Sequence, residues 1–310
     1  MKTSRTLLSL SLAGFLLTSA AAAQARGLVL TSTDLPAKDR TSLQSAIKKA
    51  RAKHPVAFER VAKAPQLARE MDQQKRGRAA TITLPLKAIG ADGLFPMLEM
   101  LAVQAPKRGD LNASAWTTLR VGLLEAVGEL RDARSKPVLL AVIKREKKFE
   151  ILRAAVEALG KLGDDDSAKQ LVTLAKQPGH TQLAVLAGLG ECRRAVVAKE
   201  LARQSTSSDE AKLRVVVDSL SDVANSWVWK TPAVAKVKEE NEVRGVAATA
   251  LVNVFVKRAG YVREKAGRAL IVVDHPHTPK LLRVARAHAD PRTQKQIDDL
   301  LQQLANSPVR

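Results

Sequence analysis

The chain is poor in cysteine, histidine and aromatic residues. Its 310 residues include 1 cysteine, Cys192, and 5 histidines, and aromatic residues make up 3% of the sequence. A single cysteine excludes an internal disulfide, although exported proteins often carry several. With so few rings, the core must consist mainly of leucine, alanine and valine. Such a core suits thin helical layers, in which small residues let helices approach closely.

Long apolar runs are also scarce, and the run at the N-terminus predicts a signal peptide. Lys2 and Arg5 precede an apolar stretch over residues 7–23, and Ala23-Gln24-Ala25 fits the small-x-small cleavage pattern. We expect a secretory signal peptide over residues 1–25, cleaved after Ala25. The protein would then be exported to the periplasm or the extracellular space.

A membrane anchor is the alternative interpretation of this segment. Its strongly apolar part, residues 7–17, is short for a spanning helix, which needs about 20 apolar residues. No cysteine follows at a new N-terminus, so a bacterial lipid anchor is excluded. No other segment is long and apolar enough to span a bilayer. We therefore expect no transmembrane segment after cleavage.

Positive charge is in large excess and unevenly distributed. The formal net charge is +20, and it falls to +18 without Lys2 and Arg5. Residues 26–110 hold 16 basic and 8 acidic side chains, residues 111–226 hold 18 and 15, and residues 227–310 hold 15 and 8. A nucleic-acid groove along a repeat array should be basic throughout, because each phosphate contact needs its own cation. The nearly neutral middle argues against chromosomal nucleic acid as the partner.

One sequence pattern recurs at a nearly constant spacing. Residues 119–130, 152–163 and 183–191 each run to an ending of alanine or glycine, an aliphatic residue and glycine. The landmark residues Val127, Leu159 and Leu189 are 32 and 30 positions apart. A fixed period near 30 residues indicates stacked repeats, and no segment alternates as a half-buried strand would. The predicted fold class is all-α, an α-solenoid of stacked antiparallel helix pairs.

Residues 149–179 illustrate the repeating unit. Apolar residues recur at three- and four-residue spacing over 151–162, which predicts one helix that ends at Gly163. Glu157 and Lys161 have the favourable orientation for a helical ion pair. Asp164-Asp165-Asp166-Ser167 supplies a turn and an N-cap for a second helix, which Pro178-Gly179 ends. One helix pair cannot cover its own apolar faces, so neighbouring pairs must stack.

The repeat resembles the HEAT-repeat family, specifically the short bacterial type related to phycobilin-lyase HEAT-like repeats. The resemblance covers about residues 115–205 and is carried by the acidic turn Asp164-Asp165-Asp166 and by Leu152-Arg153-Ala154-Ala155-Val156-Glu157-Ala158-Leu159-Gly160. Tetratricopeptide repeats have a similar period but need aromatic residues that this chain lacks. The resemblance implies a HEAT/armadillo-type superhelix that binds proteins, and it does not imply lyase activity.

The domain organisation follows from where the repeat can be traced. We expect an N-terminal helical capping region over residues 26–80 and a repeat array over 81–310, with an insertion near 225–240 and closing helices at the C-terminus. Leu213 to Val223, Glu242 to Phe255 and Val262 to Val273 read as further copies of the unit, with landmarks at 219–221, 250–252 and 269–271, the last only 19 positions after the one before it. A basic stretch over 75–78 lies in the linker between the two regions.

Catalytic and metal-binding patterns are absent from the sequence. It contains no Gly-x-Ser-x-Gly or His-Glu-x-x-His motif, and Gly188-Leu189-Gly190 lacks the preceding strand of a phosphate loop. His275-Pro276-His277 could offer two imidazoles to a metal, but it reads more simply as a turn between helices. The acidic turn at 164–166 lacks the spacing of a calcium loop. We expect neither an enzyme nor a cofactor. Cys192 reads as a packing residue, with an intermolecular disulfide or redox role as the alternative.

Two groups of residues are candidates for partner binding. Basic side chains on second helices would line the concave face in solenoids of this kind. Trp227 and Trp229 lie in the expected insertion, where an extended segment would point both rings to the same side, and tryptophan is enriched at interface hot spots. Alternatively, the basic residues form a solvated face and the tryptophans anchor a loop. The complete set of candidates is Lys144, Arg145, Lys148, Arg194, Arg203, Trp227 and Trp229.

Three functions remain open at this point. The preferred hypothesis is an exported, non-catalytic scaffold that binds a protein in the cell envelope or outside the cell through its concave helical face. The alternative is an electrostatic binder of an anionic polymer, such as a surface polysaccharide, lipid headgroups or nucleic acid. An enzyme with an unrecognised site would show a concave pocket with convergent polar groups.

Overall fold

The computed structural model describes residues 26–31, 33–75 and 80–306. The predicted signal peptide, residues 1–25, lies outside the described residues, as do Arg76, Gly77 and Arg78 of the basic linker. No helix within the described residues is long and apolar enough to cross a membrane.

The described residues form helices joined by short turns. Short 3₁₀ helices occupy Ala91–Gly93, Ala133–Ser135 and Leu189–Glu191. The α-helices are α1 (Ala37–Lys53), α2 (Pro55–Ala62), α3 (Ala64–Gln74), α4 (Thr83–Lys87), α5 (Leu94–Ala102), α6 (Ala113–Glu129), α7 (Lys136–Arg145), α8 (Phe149–Leu162), α9 (Asp165–Lys176), α10 (Gln182–Gly188), α11 (Ala195–Gln204), α12 (Glu210–Val223), α13 (Ser226–Trp229), α14 (Pro232–Ala235), α15 (Glu240–Lys257), α16 (Gly260–Val273), α17 (Thr278–Arg286) and α18 (Pro291–Ala305).

The helices stack in two layers, which confirms the predicted all-α solenoid. The first-helix layer consists of α6, α8, α10, α12 and α16, and each of these helices packs on the next. In the second-helix layer α9, α11, α15 and α17 pack in the same order, while α7 packs on α8. The buried apolar side chains form one continuous core from Leu28 to Leu304. Each pair thus buries its apolar surface against its neighbours.

The repeating unit has the turn that its sequence predicts. Gly163 ends α8 in the left-handed conformation, with φ of 74°, where a residue without a β-carbon is favoured. Asp164 is the N-cap of α9, and its carboxylate accepts a 2.9 Å hydrogen bond from the backbone N–H of Ser167. The predicted ion pair within α8 is wrong, because Glu157 pairs with Arg153 and Lys161 reaches Glu129 on α6 instead.

Glycines allow the first helices to approach one another closely. A β-carbon at Gly128 on α6 would lie 2.6 Å from the Cα atom of Ala158 on α8. A β-carbon at Gly190 would lie 2.7 Å from the β-carbon of Asp222 on α12. The recurring glycine of the repeat is therefore a packing residue at the helix–helix contact, where a side chain would force the layers apart.

The assignment of residues 242–255 to a first helix is wrong. In the structure α15 packs between α11 and α17 in the second-helix layer, and α16 takes the place after α12. The short helices α13 and α14 separate α12 from α15. Because α15 is covered by neighbours on most sides, its apolar residues do not form the single stripe that distinguishes a first helix from a second.

The N-terminal residues cover the start of the array. Residues 27–30 lie against the end of α5, where Leu28 and Val29 donate backbone hydrogen bonds to the carbonyls of Met100 and Leu101. Helices α1 and α2 pack on α5, and α3 packs on α6. The apolar face that α5 and α6 would otherwise expose is thereby buried.

Candidate functional site

The N-terminal ends of the second helices are tied together by ion pairs. Lys136 at the start of α7 donates hydrogen bonds to Asp164, at 2.8 Å, and to Asp166, at 2.7 Å, both at the start of α9. Burial alone would raise the pKa of Asp164, but hydrogen bonds from Lys136 and Ser167 outweigh it and lower the pKa to about 2. The acidic turn therefore acts as a cap and as a link between repeats.

Arg194 continues this row from α9 to α15. Its guanidinium pairs with Asp165 and with Glu239, the latter at 2.6 Å, and it donates a 2.8 Å hydrogen bond to the carbonyl oxygen of Gly163. Glu239 also accepts from the backbone N–H of Ala195. Only 18% of the Arg194 side chain is exposed. Its assignment to partner binding is corrected: three helix ends occupy its hydrogen-bond donors.

These contacts fix the direction of the second helices. Since the N-terminal ends of α7, α9, α11 and α15 meet one another, the four helices run parallel and their C-terminal ends share the opposite edge. At that C-terminal end, Arg258 donates a 2.7 Å hydrogen bond to the carbonyl oxygen of Ser207, just beyond α11. The layer is thus joined by ion pairs along one edge and is open along the other.

Exposed cations line the open edge. We call this set the basic edge; its members lie in the last turns of α7, α9, α11 and α15, and they are Lys144, Arg145, Lys176, Arg203 and Lys257. Positive charge is favourable at a helix C-terminus because it complements the helix dipole, which accounts for each position singly. The stacking of the repeats then aligns the cations in one row.

The basic edge is only partly neutralised. Arg145 pairs with Asp34, and Arg203 pairs with Glu200 at 2.6 Å. Across the part of the chain that the structure describes, no carboxylate lies within 4.0 Å of Lys144, Lys176 or Lys257. These three ammonium groups are exposed to solvent and can approach a partner.

Lys148 lies beside the edge rather than in it. It occupies the N-cap position of α8, and its ammonium donates a 2.7 Å hydrogen bond to the hydroxyl oxygen of Thr117 on α6. Sequence reasoning missed Lys176 and Lys257. A sequence signal existed for Lys176, which ends a predicted second helix as Lys144 does. None existed for Lys257, because the sequence pattern assigned residues 242–255 to a first helix.

A groove of about 500 Å³ runs between α11 and α15 next to the basic edge. Small and apolar side chains make up most of its lining, and the charged groups that line it are Lys257 and Arg258. Its remaining lining residues are Ala202, Ser205, Thr206, Gly245, Val246, Thr249, Ala250, Asn253 and Val254.

The two tryptophans have different environments, which corrects their assignment as a pair. They belong to the short helix α13 rather than to an extended segment, so their rings point in different directions. Trp229 is 1% exposed, and its indole N–H donates a 3.0 Å hydrogen bond to the carbonyl oxygen of Val223. Trp227 is 60% exposed, with the Lys230 ammonium 4.9 Å from its ring centroid. Only Trp227 can contact a partner.

The first-helix layer carries a row of partly buried charges. Glu129 on α6 accepts hydrogen bonds of 2.6 Å from both Lys87 and Lys161. Burial raises the pKa of Glu157 to about 7, because the lowering effect of Arg153 is opposed by nearby Glu125. These charges hold adjacent repeats together, and they lie apart from the groove.

Asp222 on α12 continues this row without a cation of its own. Burial, reinforced by Glu191 and Asp218, raises the pKa of Asp222 to about 6. Among the described residues no cation lies within 4.0 Å of its carboxylate.

The structure also describes the surroundings of Cys192 and of the two histidines that the sequence singled out, His275 and His277. Cys192 is buried, and burial raises the pKa of its thiol to about 12, so the reactive thiolate is disfavoured. The rings of His275 and His277 lie edge to face with their centroids 5.2 Å apart. Within the described residues, no cluster of three or more histidine, cysteine, aspartate or glutamate side chains could hold a metal ion.

Comparisons with known proteins identify the repeat. A family model of HEAT repeats matches residues 111–190, which span α6 to α10. No curated protein sequence matches the chain. Among solved structures, human deoxyhypusine hydroxylase in complex with glycerol is similar, with 14% sequence identity and a TM-score of 0.30. The alignment includes 81% of the present chain and 97% of the hydroxylase chain. That likeness is too distant to transfer any residue role to this chain.

Proposed function

We propose that the chain is an exported, non-catalytic scaffold that binds a protein partner along the basic edge and the adjoining second-helix layer. The match of residues 111–190 to a family model of HEAT repeats supports this proposal. The observation that carries this proposal is the alignment of exposed, unpaired ammonium groups at the ends of consecutive second helices. Lys144, Lys176 and Lys257 project from three different repeats.

The spacing of the row indicates the kind of partner. Packed helices lie about 8–10 Å apart, so the row from α7 to α15 spans on the order of 30 Å. A partner with acidic side chains along a surface of that length would form charge-assisted hydrogen bonds with several repeats at once. Electrostatic complementarity of this kind accelerates association and is weakened by salt.

An anionic polymer is the alternative ligand. Lipid headgroups and polysaccharides present repeating negative charge, and the net charge of +18 after cleavage would attract them. The cations of the basic edge are one helix spacing apart, and Lys144, Lys176 and Arg203 lie within residues 111–226, whose 18 basic and 15 acidic side chains nearly cancel. This arrangement favours a folded partner with a few matching carboxylates over a polymer that needs a continuous positive surface.

Affinity capture with charge-reversed variants tests the proposal. The test variant changes Lys144, Lys176, Arg203 and Lys257 to Glu, and the control changes Lys38, Lys48, Lys49 and Lys63 to Glu, so both have the same net charge. We expect the captured envelope protein to bind the test variant at least tenfold more weakly and the control within threefold. Equal weakening by both variants would indicate non-specific electrostatics, and unchanged binding to the test variant would contradict the proposal.

Export is tested on the native protein. Intact-mass measurement of the chain recovered from the cell envelope or the medium should give a polypeptide that begins at Arg26. Recovery from the cytoplasm with residues 1–25 still attached would contradict export while leaving the assignment of the basic edge intact.

A further inference from the structure

We propose that the groove between α11 and α15 is a docking site for a peptide segment of the partner that carries small side chains and an acidic residue at one end. The inference rests on the proposed function, since the segment belongs to the protein that the scaffold binds. It adds the place, the size and the chemistry of the contact.

The groove has the dimensions of a peptide site. It follows α15 from Gly245 to Lys257, which is roughly 18 Å at 1.5 Å per residue. Its volume of about 500 Å³ lies within the range of ligand-binding pockets. The groove is partly open to solvent, so a segment can enter it without a change in the packing of α11 against α15.

The lining favours close approach by a peptide. Val246, Ala250 and Val254 recur at four-residue spacing along α15 and form an apolar strip, which Ala202 extends onto α11. Gly245 has no side chain at the far end. Ala250 and Val254 are already buried in the core, so the apolar surface that an occupant can cover lies mainly on Val246 and Ala202. Covering this surface is a favourable term for binding.

Polar groups along the groove limit what can bind. The Thr249 hydroxyl donates a 2.9 Å hydrogen bond to the carbonyl oxygen of Gly245, and the Thr206 hydroxyl donates a 3.0 Å bond to that of Arg203. Both hydroxyl oxygens can still accept from a peptide N–H. The exposed amide of Asn253 can donate and accept, so it can pair with a peptide group of the occupant.

Charge sets the sign of the occupant. The charged residues that line the groove are Lys257 and Arg258, and both lie at its C-terminal end. No carboxylate in the described part of the chain lies within 4.0 Å of Lys257, while Arg258 uses one guanidinium nitrogen on the Ser207 carbonyl. A carboxylate of the occupant could accept hydrogen bonds from both Lys257 and Arg258, whereas a cation at this end would be repelled by them.

The test is an array of ten-residue peptides of random sequence, probed with the chain lacking residues 1–25, the form expected after export. We expect bound peptides to be enriched in alanine, glycine and serine next to aspartate or glutamate. The best of them is then labelled with fluorescein, and its Kd is measured by fluorescence polarisation for the wild-type chain and four variants.

Each variant has a matched control on the same layer. Thr249→Trp fills the groove, while Thr173→Trp places the same bulk at an exposed position of α9 outside the groove, where the hydroxyl likewise donates to the carbonyl oxygen four residues earlier. Lys257→Glu reverses the charge at the groove, and Lys169→Glu does so at an exposed position of α9 that lies outside the basic edge. We expect Thr249→Trp to weaken peptide binding at least tenfold and Lys257→Glu at least fivefold, with both controls within twofold. Circular dichroism verifies that all four remain helical.

Three outcomes would overturn the inference: no enrichment of acidic peptides, enrichment of basic ones, or unchanged binding to Thr249→Trp. The result is separable from the proposed function. If the captured envelope protein depends on the basic edge but binds Thr249→Trp normally, the groove assignment fails and the scaffold function stands. If the acidic peptides bind the groove but no envelope protein depends on the basic edge, the reverse holds.

Discussion

At Glu157, burial has a larger effect than the nearest cation. The carboxylate pairs with Arg153, but this guanidinium also lies 3.6 Å from Glu125 on the neighbouring helix. The partner is thus shared, and the pKa of Glu157 rises to about 7. A carboxyl group whose pKa is raised by folding stabilises the fold while it is protonated, and this contribution is lost as pH rises through the folded-state value.

The stability of the protein should therefore fall as pH rises from 6 to 8. We expect a decrease of about 1–2 kcal/mol in the free energy of unfolding, since one unit of pKa shift corresponds to about 1.4 kcal/mol. Glu157→Gln should remove most of this dependence. The remainder combines Asp222, whose pKa is raised to about 6, with an opposing contribution from His275, whose pKa is lowered by burial. Urea unfolding at pH 6 and pH 8 measures it.

The exposed Glu150, at the start of α8, provides the control for this substitution. Glu150→Gln should leave the difference between pH 6 and pH 8 as it is in the wild-type chain. If Glu157→Gln also leaves the difference unchanged, burial of that carboxylate does not control it.

The tryptophans of α13 should have separate effects on stability. Trp229→Ala leaves a cavity and an unpaired carbonyl at Val223, so we expect it to cost about 3–5 kcal/mol of unfolding free energy. Trp227→Ala removes an exposed ring and should change stability by less than about 0.5 kcal/mol. Urea unfolding of the two single variants measures both changes in the free energy of unfolding. Equal costs would contradict the burial that separates them.

The sequence could not separate these environments, and the same holds for Arg194. A cation in a turn can face a partner or bridge helix ends. The choice depends on Asp165 and Glu239, which lie 29 and 45 positions away in the chain and meet Arg194 only when the repeats stack. Lys144 is exposed at the end of a second helix, and its role in partner binding stays a prediction.

At the scale of elements, adjacent first helices pack so closely that a glycine is needed where they meet. Gly128→Ala would place a methyl group 2.6 Å from the Cα atom of Ala158, and neither backbone can give way without shifting a repeat. We expect a loss of about 1–3 kcal/mol in the free energy of unfolding despite the better helix propensity of alanine.

Gly245 is the matched control, because it lies inside α15 where an added β-carbon would make only ordinary van der Waals contacts. A β-carbon there would come no closer than 3.5 Å, to His275 Nε2. Gly245→Ala should stabilise the chain by about 0.5–1 kcal/mol through helix propensity alone. If both substitutions changed the midpoint of thermal unfolding in the same direction, close packing would not be the reason for the repeated glycine.

How far an element could be predicted depends on how local its determinants are. The end of α8 at Gly163 and the cap at Asp164 follow from neighbouring residues, and both are confirmed. The layer to which α15 belongs does not follow locally. Helices α13 and α14 interrupt the spacing after α12, and burial by several neighbours removes the one-sided pattern that marks a first or second helix.

At the scale of the whole molecule, the second-helix layer has two unlike edges. At the N-terminal edge, charged side chains such as Lys136 and Arg194 are already paired with side chains of neighbouring repeats. The C-terminal edge presents cations, of which Lys144, Lys176 and Lys257 have no carboxylate within 4.0 Å among the described residues. This asymmetry arises because similar helices stack in parallel. Cations that occupy the same position in successive second helices therefore form a row.

The groove between α11 and α15 could not be predicted from sequence at all. Its lining residues form no recognisable sequence motif. The groove exists because α15 packs beside α11 although residues 225–239 are inserted between α12 and α15 in the chain. Its lining becomes informative only after the register of the helices is known.

Site-specific photo-crosslinking in living cells tests the central claim most directly. A photoreactive amino acid is placed at Thr173 and Asn253 on the second-helix layer, and at Glu264 and Val272 on the first-helix layer, all four positions being exposed. We predict adducts with one envelope protein from Thr173 and Asn253 and none from Glu264 or Val272. Adducts with that protein from the first-helix positions alone would contradict binding along the basic edge.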